Sequence, residues 1–264
     1  MVKSLIVEGK KAIYNNGILM TILGVFFINM ANLWDEMRIH PTYDSGSVLY
    51  FWINRHSLGG IIVLTFLLCS LSYGIQFCIE RENGAWKMYM IRENLKGYVI
   101  SKAIISIGCT FLAFFVGYML VFLTLCFRYR LFPLDVVYRE QMVRDLPFAT
   151  LAIHNNLAFF LLNLIPEIMM MVFLNTFSLV VATWTTNYYV VVAAPLTIYY
   201  IWNYFAGGLN LPEIFQWPMK LDSGFRFFLS DFANCIFTIG YYLLCSVVSI
   251  FIFYKRCKGD MENV

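Results

Sequence analysis

Residues 168–212 read IMMMVFLNTFSLVVATWTTNYYVVVAAPLTIYYIWNYFAGGLNLP, 45 residues without Asp, Glu, Lys or Arg between Glu167 and Glu213. A helix needs about 20 mostly apolar residues to cross a bilayer core, so this stretch is long enough for two crossings. Thr183, Thr185, Thr186 and Asn187 interrupt it near the middle and predict a tight hairpin between two helices. The same test applied outward finds 23 charge-free residues between Lys11 and Asp35, 23 between His56 and Glu80, 25 between Lys102 and Arg128, and 23 between Asp231 and Lys255.

With the fourth segment extended back through 157–165, the expected architecture is all-α and polytopic. Its six transmembrane helices lie at about 17–34, 57–78, 103–127, 158–183, 188–206 and 235–254. The runs are continuous, whereas a membrane barrel alternates in and out over strands of about ten residues.

Composition agrees with this reading. Of 264 residues 60% are apolar, 18% aromatic and 13% charged, against roughly 45–50% apolar and 25% charged in soluble domains. A water-soluble fold has too few polar residues here to cover its surface, and a disordered chain is excluded by the same excess. Lys and Arg near the span ends set orientation. Eleven fall on one side, including five in the second loop and three at each terminus, and eight on the other. Both termini are therefore expected in the cytoplasm of a multi-pass cell-membrane protein. Asp35 and Glu36 follow the first span with no small-residue cleavage site, so that span is not read as a signal peptide. Seven cysteines without a CxxC read as packing residues.

Between the spans, residues 1–16 place Val2, Leu5, Ile6 and Ile13 on one side of a helix expected to lie on the inner leaflet. The second loop, 79–102, is IERENGAWKMYMIRENLKGYVISK. It is too polar to cross and too long for a turn. Trp86, Tyr89 and Met90 share a helical face, Lys87, Arg92, Glu93 and Lys96 occupy others, and Gly84 and Gly97 punctuate the ends. Such a helix suits docking into a partner's groove; an unpartnered charged loop is the alternative. Residues 207–234, apolar but broken by glycine and proline, predict a re-entrant hairpin on the outer side.

Chemistry of other kinds is sparse. GxxxxGK[ST], HExxH and GxSxG do not occur, and His40, His56 and His154 are too scattered to predict a metal site. Glu167 is the acidic residue set deepest in a span. It is either a proton, cation or substrate contact or, as adopted here, an interfacial residue with Pro166 in the first turn of a helix beginning near Ile165. Met170, Tyr188 and Tyr199 are, with Glu167, candidates for lining a pathway for amphipathic cargo.

The second loop resembles that of permease subunits of the type-two ABC exporters. Glu80, Glu82 and Gly84 match an acidic turn, Arg92 lies in the coupling helix, and Tyr98 with Ser101 and Lys102 opens the third span. The likeness covers the whole chain as architecture and about 25 residues as motif; the long polar segment 128–156 departs from it. It implies a transporter half that is not itself an enzyme. An ABC ATPase subunit would hold ATP and Mg, and a second permease, identical or related, would complete the path. Glu80, Arg81, Glu82, Gly84, Trp86, Lys87, Tyr89, Met90, Arg92 and Lys96 would form the coupling contact. The expected function is export of amphipathic or hydrophobic cargo, a peptide, toxin, antibiotic or hydrophobic small molecule, with no nucleic-acid role. An ion-coupled transporter using Glu167, or a membrane scaffold, are the alternatives.

Overall fold

The computed structural model describes residues 2–40, 46–55, 60–92, 94–133, 141, 144, 148–149, 151, 156–209, 228 and 230–262. Among them secondary structure is helical, apart from a single bridge between Ser47 and Arg130. Four helices are long and apolar enough to cross a membrane: Gly17–Ile39, Leu95–Arg128, Leu157–Val181 and Asp231–Glu262.

The chain starts with α1 (Val2–Tyr14) and turns at Asn15, whose side-chain oxygen accepts from the Gly17 N–H at 3.1 Å, into α2 (Gly17–Ile39). The 23 residues of α2 span about 34 Å, enough for a hydrocarbon core. A short helix not foreseen from the sequence, α3 (Val48–Asn54), follows. The Ser47 hydroxyl caps it by accepting from Tyr50 N–H at 3.1 Å, and Val48, Leu49, Phe51 and Trp52 are buried.

The second expected span is helical but changes winding along its length. It runs as a 3-10 turn (Gly60–Leu64), α4 (Thr65–Cys69), a π turn (Ser70–Gly74) and α5 (Ile75–Glu82). The π turn is where polar and small residues meet their neighbours. The Ser72 hydroxyl lies 2.7 Å from that of Thr110, and a Cβ on Gly74 would stand 2.5 Å from Asn175 Oδ1. Gly84, at φ +68°, then turns the chain into α6 (Ala85–Arg92).

α7 (Leu95–Arg128) has 34 residues and starts at Leu95, ahead of the expected 103. The last third of the expected loop, residues 95–102, is therefore helix continuous with the third span. α8 (Asn156–Val181) runs unbroken through Pro166, and α9 (Tyr188–Gly208) begins where Asn187 Oδ1 accepts from Tyr189 N–H at 3.0 Å. The hairpin between them falls where the polar residues 183–187 place it. α10 (Asp231–Glu262) extends beyond the expected 235–254 at both ends. Of the re-entrant segment 207–234, residues 210–227 and 229 lie outside the described residues.

α8 is central: half of its most apolar window is buried, against 22% for α10. Leu19, Met20, Leu23 and Phe27 of α2 and Leu243, Leu244, Val247, Val248 and Phe251 of α10 point outward, while Asn29, Thr65, Ser72, Thr110 and Asn175 are buried. Apolar residues outside and polar residues inside suit lipid as the surrounding medium, because buried polar groups then satisfy one another. These apolar helices mark the chain as a membrane protein.

Candidate functional site

Charge is concentrated where the two ends of the second loop meet α1. Glu8 and Lys11 stand one turn apart on α1, Glu80 is on the last turns of α5, and Lys102 lies two turns into α7. Lys102 Nζ bonds Glu8 Oε2 at 3.0 Å and Glu80 Oε2 at 2.9 Å. Lys11 Nζ bonds Glu8 Oε1 at 2.6 Å and Glu80 Oε1 at 2.8 Å. Two cations and two anions thus alternate in a closed ring of zero net charge.

Two tyrosines complete the ring. Tyr73 O–H donates to the Glu8 carboxylate, and Tyr98 O–H donates to Glu80 Oε2 at 2.6 Å. Lys11 Nζ also sits 3.8 Å from the centre of the Tyr89 ring of α6. The side chains of Lys102, Glu8, Glu80 and Lys11 are 0, 3, 6 and 19% exposed. Charges so deeply buried persist only when paired and hydrogen-bonded. At Glu8 burial alone would raise the pKa, but Lys102 and the hydrogen bonds from Lys11 and Tyr73 outweigh it and hold the carboxyl below its ordinary value. At Lys11 burial acts downward, and the bonds to Glu8 and Glu80 hold the ammonium above its ordinary value.

The ring fixes one side of α1 to the bundle. Its Ser4, Glu8 and Ala12 are buried against the protein, while Ile6, Val7, Ile13 and Tyr14 face outward. The apolar side of this amphipathic helix faces away from the bundle, and its polar side is fixed to it.

Coupling candidates divide between inside and outside. Glu80 is enclosed in the ring. Trp86 is buried in a cluster with Phe77, Tyr98, Leu179, Val180 and Phe253, and Tyr89 packs against that cluster. The aromatic side of α6 is therefore held within this chain, because α5 and α7 pack against it. Arg81 also acts internally. It donates through Nη1 to the Ala182 carbonyl at 3.2 Å and to the Thr183 carbonyl, and through Nη2 to Asp260 at 3.2 Å. The carbonyls left unpaired at the C-terminus of α8 thereby gain a cationic partner. Glu82, Gly84, Lys87, Met88 and Lys96 are exposed and form the outer face of this turn. The side chains of Met90 and Arg92, and all of Glu93, lie outside the described residues.

A second charged pair occupies the opposite end of α7. Glu167 is in the third turn of α8, which corrects the expected helix start near Ile165 and the first-turn role of Pro166. Its carboxylate pairs with Arg55 and accepts from Tyr118 O–H. Arg55, counted from the sequence among loop cations, is buried with its Cζ 4.1 Å from the Trp52 ring centre. The other pathway candidates do not converge on Glu167. Met170 is in the core, Tyr199 tilts against Phe66 with ring centroids 4.3 Å apart, and Tyr188 is exposed at the far end, in the α8–α9 turn.

One seam of α7 joins the two charged sites. Lys102, Ser106, Thr110, Phe114 and Tyr118 recur every four residues over about 24 Å. Asn175 of α8 donates from Nδ2 to Ser106 Oγ at 2.7 Å and to Thr110 Oγ1 at 2.5 Å. Sequence reasoning missed Glu8, Lys11, Arg55, Tyr73 and Tyr118. The available signal was the four-residue recurrence on α7 and a carboxylate on the side of α1 away from Ile6 and Ile13. Among the described residues no group of three or more His, Cys, Asp or Glu could hold a metal, and His56 and His154 lie outside them. The chain matches no family model, no curated protein and no solved structure.

Proposed function

We propose that this chain is the membrane permease subunit of an ATP-driven exporter of the type-two ABC kind. In this reading it has six membrane spans, with the winding-changed helical path 60–82 as the second and α9 as the fifth. Both termini face the cytoplasm, and the chain pairs with a second permease, identical or related. A separate ATPase holds ATP and Mg and supplies the energy with which the permeases move amphipathic or hydrophobic cargo, a peptide, toxin or antibiotic, outward.

The observation that carries this reading is the α5–α6 turn. Its exposed rim is Glu82, Lys87, Met88 and Lys96, while its inner side is tied to α1 and α7 through the Glu8–Lys11–Glu80–Lys102 ring. A load applied to α6 would be shared at once by α1, α5 and α7, and through Arg81 by the end of α8 and by Asp260 of α10. Transmission of force needs such stiff contacts, and salt-bridged helix ends supply them better than a solvated loop.

Co-purification with an ATPase, and ATP hydrolysis stimulated by amphipathic peptide, is the test. Lys87→Glu combined with Glu82→Arg reverses two exposed rim charges and is expected to lower stimulated turnover at least about fivefold, since mismatched charge across an interface costs on the order of a kcal/mol or more. Membrane insertion and melting temperature should not change. Unaltered turnover, or a chain that never retains an ATPase, would discard the proposal. Glu167, buried with Arg55 and Tyr118, favours the ion-coupled alternative only if the chain alone moves solute and Glu167→Gln abolishes that movement.

A further inference from the structure

The outward face of α10 ends in two cations. Leu244, Val248, Phe251 and Lys255 follow one another at intervals of four, three and four residues, so they lie in one line along the helix. Leu244, Val248 and Phe251 are exposed, as are Val247 and Ile252 beside them. The line rises about 16 Å from Leu244 to Lys255, close to the depth of one leaflet of a hydrocarbon core about 30 Å thick. An acyl chain laid along it from the bilayer midplane would bring its headgroup to Lys255.

Three observations put the membrane boundary at this level. The charge-free run of α10 stops at Lys255 and Arg256. The Arg256 guanidinium carbon lies 5.5 Å from the centre of the Trp184 ring, which ties the α8–α9 turn to the same depth. Trp184, Tyr188 and Tyr189 are all exposed there, and exposed Trp and Tyr gather at headgroup level.

Lys255 and Arg256 are both exposed, and among the described residues neither pairs with a carboxylate. Nearby cations are already engaged, Arg81 with Asp260 at 3.2 Å and Lys258 with Glu262 at 3.4 Å. Lys255 Nζ instead sits 4.8 Å from the centre of the Phe251 ring, at the foot of the apolar line, and Arg256 rests on Trp184. Ring faces hold cations in place without neutralising them. Two adjacent uncompensated cations at the foot of an apolar line complement a phosphate carried on acyl chains, and a zwitterionic headgroup would oppose them with a cation of its own.

We infer that α10 carries a binding site for an anionic phospholipid of the phosphatidylglycerol type, with its phosphate on Lys255 and Arg256 and an acyl chain against Leu244, Val248 and Phe251. The site needs only a membrane around the chain and is independent of the exporter reading.

The test uses the full chain in phosphatidylcholine nanodiscs containing a trace of phosphatidylglycerol with a diazirine near the end of one acyl chain, or the matching phosphatidylcholine probe. After irradiation, the label on α10 is read by peptide mass spectrometry. The phosphatidylglycerol probe is expected to label α10 at least about fivefold more than the phosphatidylcholine probe, since each cation near a headgroup contributes roughly a fivefold preference. Lys255→Gln combined with Arg256→Gln should remove most of that preference, whereas Lys10→Gln, which removes an exposed cation of α1, should retain it. Equal labelling by the two probes, an unchanged preference in the double variant, or an equal loss in Lys10→Gln would overturn the inference. Displacement of the probe by inorganic phosphate at constant ionic strength would overturn it too, by assigning the cations to a soluble anion. The comparison of the two probes on the unaltered chain stands even if the double variant does not fold.

Discussion

Lys102→Met isolates the contribution of the charged ring. Lys102 is fully buried and lies 3.0 Å from Glu8 and 2.9 Å from Glu80. Methionine approximates its length, so packing is largely retained while one positive charge is lost. Two buried carboxylates then share Lys11 alone, and the ring carries a net charge of −1. Breaking a buried pair in this way costs about 3–5 kcal/mol, a large share of a typical stability of about 5–15 kcal/mol. At roughly 2–4 °C per kcal/mol for a chain of this size, the melting midpoint in detergent should fall by about 6–20 °C.

The informative comparison is the double variant Lys102→Met with Glu8→Gln. Glutamine removes the uncompensated charge and can still accept from Tyr73, leaving Glu80 with Lys11 and Tyr98. The two changes should be non-additive by at least about 1 kcal/mol, with the double variant melting above Lys102→Met alone. Thermal unfolding of the two singles, the double and the unaltered chain forms the cycle. A drop under about 2 °C for Lys102→Met, or strictly additive losses, would refute the claim that these four charges act as one unit.

The same ring gives stability a defined pH window. Glu8 is held below its ordinary 4.5, so its contribution is complete above that pH and fades as acid protonates it; Lys11 is held above its ordinary 10.5, so its contribution is complete below that pH and fades in stronger base. Melting temperature should therefore plateau between these limits and fall outside them, with Glu8→Gln flattening the acid limb. Gly117→Ala tests close packing of α7 on α2. A methyl there would stand 2.8 Å from Val25 Cβ and 3.2 Å from the Ile22 carbonyl, so the helices must separate at a cost of about 1–3 kcal/mol, read as a lower melting midpoint.

Long charge-free runs were legible because crossing a bilayer is a local requirement, met or failed within about 20 residues. The α8–α9 hairpin was legible for a related reason. Thr183, Thr185 and Asn187 bond to backbone within three residues of themselves, so the turn is written where it forms. Pro166 was read as a first-turn residue because proline is favoured there. In α8 it is tolerated mid-helix, where neighbouring helices bury the disturbed backbone. Trp86 was read as an outward anchor because its face of α6 is apolar, and only the docking of α5 and α7 shows that this face is already occupied.

Taken alone, the order of residues determined the solvent this chain requires, its helical class and the rough limits of its apolar segments, since these depend on neighbours in sequence. Tertiary structure decided which charges are buried together. Glu8 and Lys102 are 94 residues apart, and Arg55 and Glu167 are 112 apart. No local pattern distinguishes such a residue from a solvated one, because the energy that makes a buried charge tolerable belongs to a partner supplied by a distant helix.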